Sequence, residues 1–290
     1  MKKVLVTGAT GFIGNYVVRE LLNRNCEVIA TSSSTEKAKN SDWFHQVNYT
    51  ALNLDLSDDQ VNLFNFFNQP DLLIHLAWEG LPNYKAQFHL KENLPRHKLF
   101  LTNLISNGLK DISVTGTCFE YGMKEGPLRE DMPTDPANPY ALAKDELRKF
   151  LQQLQEREVF DMKWIRLFYM YGRGQSPNSL LSQLDKALEN GEATFNMSGG
   201  EQVRDYLPVG KVAEIIVDIA LQERITGIVN CCSAEPISVK QLVKNYLDSK
   251  QASIQQNLGY YPYPDYEPMS FWGDNTKLKQ VYNDGPGKTI

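Results

Sequence analysis

Apolar residues recur along this chain in short solid runs separated by longer amphipathic stretches. Residues 4–6 (Val-Leu-Val), 26–31, 71–77 (DLLIHLA), 112–115, 162–167 and 227–232 read as strands. The near-continuous run at 71–77 is the pattern of a strand buried on both faces of a parallel sheet. A further short strand precedes Asn53. Residues 16–22, 84–107 and 140–157 carry helical spacing, with Leu94, Leu101, Leu104 and Ile105 along one side of the second stretch. This alternation predicts an α/β fold, a doubly wound parallel Rossmann sheet.

Beyond residue 167 the alternation breaks. A loop at 171–174, a helix at 179–189, a short strand and turn at 194–200, VRDYLP at 203–208 and a helix at 212–223 come before the last core strand at 227–232. The tail carries a helix in VKQLVKNYLDSK, a Tyr/Pro segment and a terminal helix in NTKLKQVY. The expected organisation is a dinucleotide-binding domain of residues 1–172, with 203–232 packing back on it. A smaller substrate lobe is expected from the separated segments 173–202 and 233–290.

Between the first strand and the first helix stand Gly8, Gly11 and Gly14 at three-residue spacing. In a dinucleotide site Gly8 permits the tight turn, Gly11 lets the backbone approach a pyrophosphate, and Gly14 lets helix and strand pack closely. The amides of Thr10, Phe12 and Ile13 then point at the anion from the helix N-terminus. The spacing is GxxGxxG, not the commoner GxGxxG, and by itself it names no reaction.

After the second strand, where an acidic residue commonly binds the adenosine ribose, stand Ser32, Ser33 and, shortly after, Lys37. Hydroxyls and a lysine suit a 2′-phosphate that a carboxylate would repel, so NADP(H) is favoured and NAD(H) is the alternative. Asp55 and Leu56 are expected at the adenine. Leu76 and Ala77 are expected beside the coenzyme at the sheet's carboxyl edge, where His75 reads as a satisfied strand-end histidine. Trp78 is expected to line the sugar pocket.

Tyr140 and Lys144 stand four apart on one helix and so face the same way. An ammonium beside a phenol lowers its pKa toward working pH and makes it a general acid/base. Thr117, at a preceding strand end, can hydrogen-bond the same substrate oxygen. Tyr246 and Lys250 have the same spacing with none of these companions, so the order of the motifs, not the pair, carries the reading.

The net charge of −5 argues against a nucleic-acid partner. No apolar run approaches the ~20 residues of a membrane helix, and the N-terminus enters a polar turn where a signal peptide would have its apolar core, so a cytoplasmic protein without membrane partners is expected. Cys26, Cys118, Cys231 and Cys232 lack metal or disulfide spacing. No metal is inferred.

Taken together, TGATGFIG, the DL at 55 and 56, HLA, TGTCFEYG, YALAK, RLFYMYG and VRDYLPV resemble the extended short-chain dehydrogenase/reductase family over nearly the whole chain. The resemblance implies Tyr140 as acid/base, Lys144 as its activator and ribose anchor, Thr117 as the third catalytic hydroxyl and Arg204 as a contact to a nucleotide sugar's diphosphate. A surface ion pair with Asp205 is the alternative for Arg204. It also implies a homodimer built on the helices at 93–107 and 140–157, to which Leu99, Leu101, Leu147, Phe150 and Leu154 would contribute if they do not face the sheet, the equal alternative.

Departures from the family pattern refine the expectation. Cys118 and Phe119 stand where 4,6-dehydratases carry Asp and Glu, which argues against elimination. Cys118 and Tyr169 are expected against the substrate, Tyr169 replacing a common Asn. The expectation is NAD(P)H-dependent reduction of a nucleotide-linked 4-keto-6-deoxyhexose, with dTDP as the carrier. The alternatives are a 4-epimerase that retains NAD and a non-catalytic dinucleotide sensor.

Overall fold

A computed structural model describes residues 1–53 and 61–282. Seven parallel strands form the main sheet, in the spatial order Gly227–Cys231, Asp161–Leu167, Asp111–Thr117, Leu72–His75, Lys3–Thr7, Glu27–Ser32 and Asn48–Ala51. The chain starts in the middle, at Lys3–Thr7, and winds outward in both directions. Strand order therefore reverses between Lys3–Thr7 and Leu72–His75, which pair with Thr7 opposite His75. A crevice opens at the carboxyl ends of strands at such a switch point.

Apolar runs become strands here because consecutive side chains enter different cores. Val4, Val6, Leu72 and Ile74 pack with the helices Phe12–Asn23 and Val209–Leu221 on one face. Leu5 and Leu73 pack with Leu94–Ser106 and Pro139–Leu154 on the other. Cys231 and Cys232 are buried in separate clusters, as small hydrophobes.

Two boundaries differ from expectation. The stretch expected as one helix over 84–107 begins with irregular backbone, passes through a π turn at His89–Asn93 and becomes α-helical at Leu94–Ser106. Tyr84 uses its carbonyl to accept the Tyr140 amide at 3.1 Å, and Pro95 has no amide to give a preceding ladder. Val203–Pro208 does not join the main sheet; it is the middle of a small sheet between Tyr169–Tyr171 and Pro236–Ser238. The helices Leu180–Glu189 and Val239–Ser249 bury Leu181, Leu184 and Val243 in a third core nearby.

Of the two places open to them, a dimer face or the sheet, Leu101 and Leu147 take the sheet side, while Leu99 is exposed. Among the described residues, no helix is long and apolar enough to cross a membrane, and no group of three or more His, Cys, Asp or Glu side chains could hold a metal ion.

Candidate active site

The glycine turn is shaped by backbone proximity. Gly8 has φ +68°, and a Cβ there would lie 2.8 Å from the Ala77 nitrogen; a Cβ at Gly14 would lie 2.1 Å from the Gly8 carbonyl oxygen. Both positions thus exclude any larger residue. Gly11 starts the helix Phe12–Asn23 and offers no side-chain cap, so the first-turn amides are not occupied by one.

This turn forms one wall of a cavity of about 290 Å³, which Ser32, Ser33, Lys37, Leu76, Ala77 and Trp78 also line. The steric cradle at Gly8 and Gly14 and the uncapped amides fit a dinucleotide pyrophosphate. A second cavity, of about 240 Å³, adjoins it through shared walls at Leu76 and Trp78. There Ile13, Thr117, Cys118, Tyr140, Lys144 and Tyr169 meet.

Local sequence fixes Thr117, Tyr140 and Lys144. Asn138 caps its helix, accepting from the Ala141 amide at 2.9 Å, and Pro139 follows where no amide is needed. Tyr140 and Lys144 thereby fall on the buried face of the first turns, at 7% and 2% exposure. Thr117 ends the strand Asp111–Thr117 and is held from behind by Glu120. That carboxylate accepts from the Thr117 amide at 2.8 Å, the Trp164 indole at 3.0 Å and Arg166 Nε at 2.8 Å.

The electrostatics correct one expectation. Burial pushes the Tyr140 phenol up from its ordinary pKa, and Tyr84, Glu120 and Cys118 push it the same way against an opposing hydrogen bond with Thr117. Lys144 Nζ donates to the Thr115 carbonyl at 2.9 Å and lies 4.1 Å from the centroid of the Trp78 ring. Burial in turn brings Lys144 down to about 7, with Glu120 opposing. The phenol is held protonated, as a proton donor must be.

Arg204 is also placed differently. It is buried at 2% exposure and lines neither cavity. Its Nη2 pairs with Glu267 at 3.2 Å and its Nη1 donates to the carbonyls of Val203 and Met269. The alternative, a surface pair with Asp205, does not form: Asp205 accepts from the Ser233 and Ala234 amides. Tyr169 does face the second cavity, and its hydroxyl donates to the same Glu267.

Phe12 turns its ring edge-on to Tyr16 and lines a separate depression with Arg173 and Gly174. Gly14 lies in the helix–strand contact, outside both cavities. Asp55 and Leu56 lie outside the described residues. His75 is fully buried and bonded to Thr7 and His97, a satisfied strand-end histidine.

Several lining residues escaped the sequence reading. Arg96 and His97 reach the first cavity from the helix Leu94–Ser106, and Tyr84 and Phe119 reach the second. Their one sequence signal is the polar pair Arg96-His97 inside an otherwise apolar helical stripe. In the tail, Tyr260, Tyr261 and Tyr263 are exposed, whereas the Tyr266 ring centroid lies 5.8 Å from that of Tyr84.

Residues 4–232, which carry both cavity walls and Thr117, Tyr140 and Lys144, match the family described as "NAD dependent epimerase/dehydratase family". The chain belongs to this family. It is 30% identical over 275 residues to dTDP-6-deoxy-L-talose 4-dehydrogenase (NAD(+)) of Aggregatibacter actinomycetemcomitans, covering 93% of this chain and 98% of that one. It is 27% identical over 294 residues to GDP-6-deoxy-D-talose 4-dehydrogenase of the same organism, covering 96% and 90%. Among solved structures, MoeE5 in complex with UDP-glucuronic acid and NAD superposes with a TM-score of 0.80 at 25% identity, covering 96% of this chain and 92% of that one.

Proposed function

We propose that this enzyme reduces the keto group of a nucleotide-linked 4-keto-6-deoxyhexose, with dTDP as the carrier, using NADPH in preference to NADH. The observation that carries the reading is the convergence of Thr117, Tyr140 and Lys144 in one cavity that adjoins the Gly8–Gly14 cradle. The long match to a 4-dehydrogenase of a dTDP-6-deoxyhexose supports the substrate class.

The bound coenzyme supplies the hydride to the carbonyl carbon. Tyr140, kept protonated by burial, donates its proton to the carbonyl oxygen as charge develops there. Thr117 holds that oxygen from the other side, its own backbone fixed by Glu120. Lys144 orients the tyrosine end of the helix and offers its ammonium to the coenzyme ribose. Cys118 and Phe119 contribute no proton transfer, because burial raises the Cys118 thiol far above its ordinary pKa and Phe119 has none to give. The segments 173–202 and 233–290 are assigned the nucleotide side of the substrate. In the same reading two copies associate through Leu94–Ser106 and Pro139–Leu154, whose Leu99 and Leu142 are exposed.

The coenzyme preference rests on the first cavity, where, among the described residues, Lys37 and Arg96 are the cationic lining residues and Glu79 the acidic one. Lys37→Gln is expected to raise the Kd for NADPH by about tenfold and to leave that for NADH within about twofold, since a charge-assisted contact at an exposed site is worth about 1.4 kcal/mol. Fluorescence titration with both coenzymes checks this, and equal losses for the two would exclude a 2′-phosphate contact.

Loss of NADPH absorbance with dTDP-4-keto-6-deoxyglucose tests the reaction itself. Turnover that consumes reduced coenzyme supports the reductase. NAD released from the denatured protein, with no coenzyme consumed, points to the epimerase.

A further inference from the structure

Trp78 follows the central strand Leu72–His75 beyond its carboxyl end and is a wall of both cavities. Its indole is fixed on several sides. The His97 ring stacks on it at 4.5 Å with an 11° interplanar angle, and its Nε1 donates to His89 Nδ1 at 3.1 Å. His89 Nε2 in turn donates to the Asn83 carbonyl at 2.9 Å, which leaves Nδ1 bare to accept the indole proton.

His97 is itself anchored. Its Nδ1 meets His75 Nε2 at 2.7 Å, and His75 Nδ1 meets Thr7 Oγ1 at 2.8 Å. Thr7 immediately precedes Gly8, and its Oγ1 also accepts the Ala77 amide at 3.3 Å. Both histidines are neutral: burial lowers His75 to about 3 and His97 well below its ordinary value, and the Lys144 charge adds to each shift. A hydrogen-bonded chain of neutral groups therefore runs from the coenzyme turn to the underside of the indole.

Resting on the reductase reading above, we infer that Trp78 is a positioning residue for Lys144. Its clamped ring face holds the ammonium over the junction of the two cavities and links that position to the glycine turn through His97, His75 and Thr7. The groups facing Lys144 leave the ring this role. The Thr115 carbonyl accepts one hydrogen bond from Nζ, His75, His89 and His97 are lowered by its charge, and Glu120 is engaged by Thr117, Trp164 and Arg166. A ring face attracts a cation most strongly where water is excluded, and Lys144 is 2% exposed.

The test uses the full chain labelled with 13C-lysine. The Lys144 Cε proton signal, assigned by its loss in Lys144→Arg, is expected well upfield of the other lysines through the Trp78 ring current. Trp78→Leu should return it to the ordinary range and lower kcat by about 10- to 100-fold, the scale of a small misplacement in a reacting constellation. Trp78→Phe, which keeps a ring face, should retain most of the shift and hold kcat within about threefold of wild type. A Lys144 signal at the ordinary position in the wild-type protein would overturn the inference, as would wild-type kcat in a folded Trp78→Leu. The spectrum needs no turnover, so it decides the inference even if the keto sugar proves not to be the substrate. The wild-type and Trp78→Phe spectra decide it even if Trp78→Leu fails to fold.

Discussion

Tyr140→Phe is expected to lower kcat by about 10²- to 10⁴-fold, the usual contribution of a positioned general acid. It should change coenzyme affinity by less than about threefold. The ring stays in place because its neighbours are rings and backbone: Tyr84 lies at 5.6 Å, Trp78 at 6.0 Å, and the Tyr140 amide bonds the Tyr84 carbonyl. Only the hydroxyl is lost, and with it the proton for the developing alkoxide. Single-turnover loss of reduced coenzyme gives the rate, and fluorescence titration gives the affinity. A kcat within tenfold of wild type would mean that Tyr140 is not the donor.

A second large effect falls on stability. Glu120 is fully buried, and its carboxylate accepts from Thr117, Trp164 and Arg166, with Arg148 at 3.9 Å. Arg166 is likewise fully buried, with its guanidinium 4.3 Å from the centroid of the Tyr121 ring. Glu120→Ala leaves that guanidinium without its carboxylate in a site that water does not reach. Removing one partner of a buried ion pair costs about 3–5 kcal/mol, which for a chain of this length lowers Tm by roughly 10 °C. Thermal unfolding by circular dichroism measures it, and a drop of less than about 2 °C would show that Arg166 finds another partner. Glu120→Gln, which keeps the acceptor, should fall between the two.

The parts of this molecule legible in the sequence are those dictated by local chemistry. Strands buried on both faces betray themselves as solid apolar runs, and glycines forced by backbone approach betray themselves by their spacing. What spacing does not carry is the destination of a long side chain. Tyr246 and Lys250 illustrate this: four apart like Tyr140 and Lys144, they both end on the carboxylate of Asp185 near the surface. Lys144, by contrast, turns to Thr115 and Trp78, while burial raises the phenol beside it.

Arg204 escaped for a related reason. Its partner Glu267 comes from the distant tail, and spacing along VRDYLP does not show that long-range pairing. Arg96 and His97 were hidden because a helix pattern shows which side is apolar, not that two polar residues on it reach the first cavity.

The most direct measurement follows hydrogen. The protein is given dTDP-4-keto-6-deoxyglucose and NADPH carrying deuterium at the transferable position of its nicotinamide, and the sugar product is analysed by mass and NMR. Reduction with Tyr140 as proton donor predicts one deuterium on the former keto carbon, one coenzyme oxidised per product, and loss of both in Tyr140→Phe. A product without deuterium, or a sugar converted with no coenzyme consumed, would contradict it.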